Sequence, residues 1–270
     1  MPKTSQILLT EEKETLLITL YAKALDSRSS RSILCDKTAE AIAQQINYDF
    51  NKLTSLANNN IIVVRARQYD EWLKEYLANN PNAVVLNLGC GLDSRIARIN
   101  PPMNIRWFDL DYPEVIQLRQ NFFEDRNGYT MIASPVTALS WMKQLPTDRP
   151  AIIIAEGLLE YLTEEEVRIL LNRLITFFPH GQLIFDVMSS FAIRSGQKKL
   201  KATTGAIHKW AVNDLTDLDQ LDLRLTRISG LSVFQSPYIK ELPLGYRLLY
   251  GLMTTMPPFN NMLRLLRYEF

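Results

Sequence analysis

From Val84 onward, short apolar runs alternate with segments that have helical periodicity. The runs read AVVLNL, NIRWFDL, YTMIAS, AIIIAEG and GQLIFDVM. Continuous apolar strands are typical of a parallel sheet that is covered by helices on both faces. The pattern therefore predicts an α/β fold that contains a doubly wound, mostly parallel sheet.

Before this region, the periodicity is helical. Thr10 is a potential N-cap, and acidic residues follow it. A second helix is predicted over residues 37–45 and a third from about Arg65 to Leu77, with Asn58 to Asn60 breaking the pattern between them. The apolar positions that recur at helical spacing in the first helix are Leu16, Leu17, Leu20, Tyr21 and Ala24.

These patterns divide the chain into two predicted parts. Residues 1–80 are expected to form an N-terminal helical lobe, and residues 81–270 a core that contains the sheet. Within the core, TEEEVRILLNRLITFF begins with a potential capping box, Thr163 with Glu166. Residues from about 190 to 215 are expected to form an insertion in this core. LDLRLTRI and RLLRYEF near the end predict two late strands.

Charge and composition narrow the possible partners. The chain has 270 residues and a net charge of +1, so it has no basic footprint for nucleic acid or for a membrane surface. No apolar run is long enough to span a bilayer. His180 and His208 are the two histidines, and with Cys35 and Cys90 they fit no zinc-site spacing, so no metal is expected. Both cysteines are predicted to be reduced thiols in a cytoplasmic protein.

Candidate chemistry stands at the carboxyl ends of the predicted strands, where open parallel sheets bind ligands. The first strand ends in a glycine turn, Gly89-Cys90-Gly91, in which a backbone without Cβ atoms can turn tightly or admit a ligand closely. The next strand ends in FDLDYP. Asp109 and Asp111 both lie at about the distance past the turn that a ribose-binding carboxylate requires, roughly 20 residues. Asp111 is preferred because it lies at the very end of the strand.

The loop after the glycine turn argues against a pyrophosphate ligand. A dinucleotide-binding turn would have a third glycine where this chain has Ser94. Asp93 would also repel phosphate and suit a ligand with a cationic part. Glu156 ends an otherwise apolar strand, and a buried carboxylate there needs a partner. A cationic ligand group and an arginine or lysine of the protein both remain possible partners.

Four segments together resemble a known family. NLGCGLDSR, FDLDYPEVIQL, AEGLLEYL and the upstream VVRARQYD look like class I S-adenosylmethionine-dependent methyltransferases with a Rossmann-like core. The greatest resemblance is to the leucine carboxyl methyltransferase family, in its polyketide O-methyltransferase (tetracenomycin-type) branch. The usual forms there are close to G-A-G-L-D-T-R, V-D-L-P-E-V-I and A-E-G-L-L-M-Y-L. The resemblance covers residues from about 15 to 270.

The resemblance implies roles for the matching positions. Arg65 would bind the methionyl carboxylate of S-adenosylmethionine, and Gly89 and Gly91 would belong to the loop that the cofactor approaches. Asp111 would accept hydrogen bonds from the ribose hydroxyls, and Glu156 would face the methionyl amino group.

Two positions bear on the substrate and on adenine. The resemblance places Tyr161 on the substrate side. The helical lobe of residues 1–80 is expected to cap the active site, and the insertion at about 190–215 is expected to lie on the substrate side. In SPVTALSW, the family often has an acidic residue three positions before the tryptophan, where this chain has Ala138. Adenine recognition is therefore expected to depend on backbone groups and apolar contacts.

The predicted function is O-methylation of a carboxylate or hydroxyl of a small molecule, in secondary metabolism. Methyl transfer is a direct displacement in which the enzyme mainly aligns the reactants. A carboxylate needs no general base, whereas a hydroxyl needs one, and His208 is the candidate. The alternatives are a protein C-terminal carboxyl methyltransferase, an NAD(P)-dependent oxidoreductase, and a degenerate cofactor-binding protein. The oligomeric state is not predicted.

Overall fold

The computed structural model describes residues 5–6, 9–53, 56 and 58–270. The remaining positions of the predicted lobe lie outside the described residues. The helices of the described chain are α1 Leu16–Ser27, α2 Lys37–Gln45, α3 Asn59–Asn79, α4 Arg95–Ile99, α5 Pro113–Arg119, α6 Glu164–Phe177, α7 Ser190–Thr204, α8 Thr216–Asp219, α9 Leu244–Thr254 and α10 Pro257–Asn260. The strands are β1 Ser5–Gln6, β2 Ile46–Asn47, β3 Val84–Leu88, β4 Arg106–Asp111, β5 Tyr129–Ala133, β6 Ala151–Ala155, β7 Gly181–Met188, β8 Thr226–Ser232 and β9 Leu263–Glu269.

The main sheet is doubly wound, as predicted. Its strand order is β5-β4-β3-β6-β7-β9-β8, and the first five strands in this order pair in parallel. The late strands β8 and β9 add an antiparallel edge. The chain moves outward from β3 to β5, then crosses back to β6 on the other side of β3. The carboxyl ends of β3 and β6 therefore flank the switch point, where such sheets bind ligands.

Helices cover both faces of the sheet, which explains the continuous apolar runs. Val84 and Leu86 of β3 pack into a core cluster with Leu170 and Leu174 of α6. Val85 points to the opposite face and packs into a cluster that includes Leu73 of α3. The predicted capping box of α6 is present. No helix of the described chain is long and apolar enough to cross a membrane.

Two predicted helix starts are wrong. Thr10 does not cap an α-helix: Glu11 has φ +58°, a left-handed conformation, and Glu11–Thr15 forms a 3-10 helix before α1. The third helix begins at Asn59 rather than near Arg65, because the Asn58 side chain accepts a hydrogen bond from the Asn60 N–H. The asparagines that looked like a break are thus a helix cap.

Candidate active site

A pocket opens at the carboxyl ends of β3, β4 and β6. About 1070 Å³ of space lies between its walls when the open solvent at its mouth is counted. Residues 12–23, at the start of the N-terminal helices, form part of its wall. The pocket brings together these predicted site residues: Arg65, Gly89, Gly91, Asp111, Glu156 and Tyr161.

The backbone conformation of the turn requires glycine at two positions. Gly89 and Gly91 have φ of +61° and +49°, a region that residues with a Cβ rarely adopt. A Cβ on Gly89 would lie 2.9 Å from Leu158 Cδ1, and one on Gly91 would lie 3.0 Å from Leu16 Cβ. Leucine side chains of the protein therefore occupy the space next to both glycines. The turn itself lines the pocket.

Asp111 connects the end of β4 to this turn. Its carboxylate accepts hydrogen bonds from the N–H groups of Gly91 and Tyr112, each at 2.7 Å. Burial raises the pKa of Asp111 to about 6, although these two N–H groups lower it in part. Each carboxylate oxygen can accept a second hydrogen bond, so Asp111 retains acceptor capacity toward the pocket.

Asp109 is not available to a ligand. It is fully buried, and its oxygens accept hydrogen bonds from Asn87, Trp107 and Tyr129 and form an ion pair with Arg119. Of the two aspartates, Asp111 lines the described pocket and Asp109 does not.

Glu156 has arginine partners from the protein itself. Its Oε1 accepts from Arg65 Nε at 3.1 Å, and its Oε2 pairs with Arg95. Burial alone would raise the pKa of Glu156, but the charges of Lys23, Arg95 and Arg65 outweigh burial and lower it to about 2. Of the two partners that the sequence left open, the protein partner is therefore present. Glu156 still lines the pocket as a full anion.

The prediction that Asp93 would repel phosphate did not take into account the cations that surround its carboxylate. Its carboxylate pairs with Lys23 at 2.8 Å, with Arg95 at 2.7 Å and with Arg98 at 3.1 Å. Burial would raise the pKa of Asp93, but these three cations keep it well below its usual value. Its charge is therefore compensated inside the protein.

Sequence reasoning missed the residues that hold the loop in place. Arg95 and Arg98 both pair with Asp70 of α3, and Arg98 also pairs with Asp36, the N-cap of α2. Ser94, at the position of the absent third glycine, donates a hydrogen bond to the same Asp36. One signal in the sequence could have indicated these ion pairs, since Asp70 lies among the apolar positions of a helix and a buried acid needs a cation.

The side of the pocket next to Tyr161 is aromatic. The rings of Tyr161 and His208 lie 5.1 Å apart. In the described chain His208 itself does not line the pocket, although the adjacent Lys209 does. His208 Nδ1 is buried and has no hydrogen-bond partner there, and burial lowers the pKa of His208. The imidazole is thus neutral at physiological pH.

Cys90 lines the pocket as a protonated thiol, because burial raises its pKa well above the ordinary value. It is not activated as a nucleophile. Cys35 and Cys90 are free cysteines. Among the described residues, no group of three potential metal ligands comes together.

Known proteins are similar to this chain in sequence. Tetracenomycin polyketide synthesis O-methyltransferase TcmP of Streptomyces glaucescens is 38% identical over 272 residues, 98% of each chain. The S-adenosyl-L-methionine-dependent methyltransferase dpfgK of Gibberella zeae is 30% identical and covers 87% of this chain and 84% of its own.

Solved structures agree on the fold. A putative methyltransferase from Thermobifida fusca has a TM-score of 0.58 at 14% identity, covering 92% of this chain and 93% of its own. The N-methyltransferase NodS of Bradyrhizobium japonicum, in complex with S-adenosyl-L-homocysteine, has a TM-score of 0.51 at 14% identity, covering 87% and 98%.

These relatives support methyl transfer over oxidoreduction with NAD(P). The family model for leucine carboxyl methyltransferases matches residues 9–175. The chain is thus an S-adenosylmethionine-dependent methyltransferase, and it belongs to the leucine carboxyl methyltransferase family.

Proposed function

We propose that this enzyme is an O-methyltransferase that acts on a carboxylate or hydroxyl of a small molecule. The observation that carries the proposal is the convergence of Gly89, Gly91, Asp111 and Glu156 on one pocket at the switch point of the sheet. The similarity to the polyketide O-methyltransferase TcmP over nearly the full length favours a small-molecule acceptor over a protein C-terminus.

The donor set of the pocket fits S-adenosylmethionine. Asp111 would accept hydrogen bonds from the ribose hydroxyls. Its two N–H partners leave further acceptor positions on the carboxylate free for this. Arg65 would bind the methionyl carboxylate, and Glu156 would bind the amino group. Beside this set, Val136 and Thr137 line the pocket next to Ala138, which supports adenine binding through backbone and apolar contacts.

The protein's contribution to catalysis is alignment. The pocket residues would hold the two ends of the cofactor in place, and the cofactor would supply an activated methyl group for in-line displacement. Tyr161 would contact the acceptor. An ionised carboxylate acceptor needs no further group, whereas a hydroxyl acceptor would need a general base. His208 is the candidate base, although it packs against Tyr161 and does not itself line the described pocket. Residues 1–80 would cap the pocket and exclude water.

The two free cysteines support a cytoplasmic location.

Calorimetric titration with S-adenosylhomocysteine (SAH) tests the cofactor site. We expect the wild-type protein to bind SAH with micromolar affinity and not to bind NADH. Asp111→Ala should weaken SAH binding at least about 100-fold, roughly 2.7 kcal/mol, because the ribose hydroxyls lose a charged acceptor. Glu165→Gln, at an exposed acid of α6, is the matched control. No SAH binding by the wild type, or equal binding by Asp111→Ala, would contradict the proposal.

The affinity for SAH should also depend on pH through Asp111. Its pKa is about 6 in the free protein, and the ribose hydroxyls donate to the ionised form. SAH affinity should therefore fall as pH decreases below 6, by about tenfold per pH unit, since each complex formed must release one proton.

Titrations from pH 5 to 7.5 measure this effect. The carboxyl group of SAH titrates below this window and its amino group mostly above it. Asp111→Asn cannot ionise, so it should bind weakly without that dependence. A wild-type affinity that stays constant across the range would contradict the prediction.

A further inference from the structure

Helix α9 has an apolar side that faces away from the protein. Its sequence is LGYRLLYGLMT, and Tyr250 is the residue of α9 that the described chain buries. Tyr250 packs against Phe234 with the ring centroids 5.2 Å apart, and its hydroxyl accepts a hydrogen bond from Asn58 Nδ2 at 2.7 Å. A surface helix usually turns its apolar stripe toward the core and a polar face toward solvent. The apolar outward side of α9 therefore requires an explanation.

Three leucines form a ridge along this outward side. Leu244, Leu248 and Leu252 are four residues apart, so they lie in one row along the helix. With 3.6 residues per turn, Leu248 points roughly 160° away from Tyr250. The exposed fractions of the three leucines are 63%, 67% and 60%. The charged residue of α9 is Arg247, which lies to one side of the row, so the leucine ridge itself carries no charge.

A glycine lies on each side of the leucine ridge. A Cβ on Gly245 or on Gly251 would meet no heavy atom of another part of the described chain within 4 Å, so the fold of one chain does not require glycine there. Glycine inside a helix costs roughly 0.5–1 kcal/mol relative to alanine. The missing side chains leave two shallow grooves, which we call the glycine grooves. Because helices pack by inserting ridges into grooves, α9 has the surface relief that a second helix needs.

The outward side of α9 is large enough to form most of an interface. Tyr246 and Leu249 are also exposed, at 44% and 49%. With the leucine ridge they present on the order of 500 Å², similar to the largest apolar patch on a typical monomer, roughly 300–600 Å². A standard interface buries about 800 Å² on each partner. The exposed prolines that flank the helix in the chain add to this surface: Pro243, Pro257 and Pro258. The patch thus approaches the area that a stable dimer needs.

We propose that α9 forms the interface of a symmetric homodimer, in which the leucine ridge of each copy packs into a glycine groove of the other. A two-fold interface requires a surface that is complementary to itself, and α9 carries both the ridge and the grooves. Helices that lie on membranes are rich in lysine and arginine on their polar face, whereas Arg247 is the basic residue of α9. A second copy of this chain therefore fits α9 better than a lipid surface does. The inference is independent of the proposed function, because α9 supplies no residue to the described pocket.

Sedimentation velocity of the full chain over a range of protein concentrations tests the dimer. The wild type should have twice the mass of one chain and dissociate on dilution. Leu248→Glu should weaken the dimer at least about 100-fold, because it places a charge at the centre of a desolvated interface. Leu223→Glu is the matched control, since Leu223 is 96% exposed. Its neighbour Asp222 contacts Asn172 of α6, on the other face of the sheet, so this variant should dimerise like the wild type.

Gly251→Leu distinguishes packing in the grooves from general apolar adhesion. The substitution adds apolar surface and favours the helix, and the single chain has room for it. A filled groove can no longer accept the leucine ridge, so the dimer should weaken at least about tenfold through overpacking. Circular dichroism checks that each variant is folded. Association that becomes tighter in Gly251→Leu would show adhesion without ridge-and-groove packing, and would overturn the proposal.

Two further results would overturn the homodimer. One is a wild type that has the mass of one chain at every concentration. The other is a wild-type monomer that sediments with vesicles of phosphatidylcholine and phosphatidylglycerol, with that binding lost in Leu248→Glu, since α9 would then be a membrane-binding helix.

Discussion

Replacing Arg95 with methionine should lower the free energy of unfolding by about 3–5 kcal/mol, the cost of removing one partner from a buried ion pair. The Arg95 side chain has no exposed surface, and it pairs with Asp70 and Asp93, each at 2.7 Å, and with Glu156. Its loss leaves three carboxylates without their shared cation. SAH binding should be lost as well, because Asp93 and Glu156 both line the pocket.

Urea unfolding at pH 7.5 measures the loss of stability. Arg168→Ala is the matched control, since Arg168 is 44% exposed and pairs with Glu164 one helical turn away. A surface pair of this kind contributes about 0.3–0.5 kcal/mol. Arg95→Lys should fall between the two, because lysine keeps the charge but cannot reproduce the three-way fork. A loss below about 1 kcal/mol for Arg95→Met would show that the pairs contribute little.

The sheet could be predicted because burial on both faces has a direct signature in sequence. β3 is apolar at Val84, Val85 and Leu86 because helices cover both of its sides. The capping box of α6 could also be predicted, since it is formed by Thr163 and Glu166, which are three residues apart. Signals of this kind are local, so they do not depend on how distant segments pack.

The ion pairs behind the pocket could not be predicted, because they join segments that are far apart in the chain. Asp36 caps α2, Asp70 lies in α3 and Arg98 lies in α4, and only the packing of these helices brings the three side chains together. The pattern around Asp93 showed an acid in a loop and gave no sign of the buried Lys23 that faces it. Sequence reasoning located the ligand-facing carboxylates but not the charges that compensate them.

Arg119→Met should lower the free energy of unfolding by about 3–5 kcal/mol, as Arg95→Met does. It should also weaken cofactor binding, but through different contacts. Arg119 is fully buried and pairs with Asp109. Its Nη1 also donates to the backbone oxygens of Gly91 at 3.1 Å and of Asp93 at 2.7 Å. This single side chain thus compensates a buried acid and holds the glycine loop. Both stability and SAH affinity should decrease.

A second substitution separates the two effects of Arg119. In the double variant Arg119→Met, Asp109→Asn, the uncompensated charge is removed, so at least half of the lost stability should return in urea unfolding. SAH affinity should stay low, because the oxygens of Gly91 and Asp93 still lack their donor. Arg126→Ala, at an exposed arginine, should leave both quantities unchanged. Recovery of SAH binding together with stability would show that Arg119 acts on the pocket through the charge of Asp109 rather than through the loop.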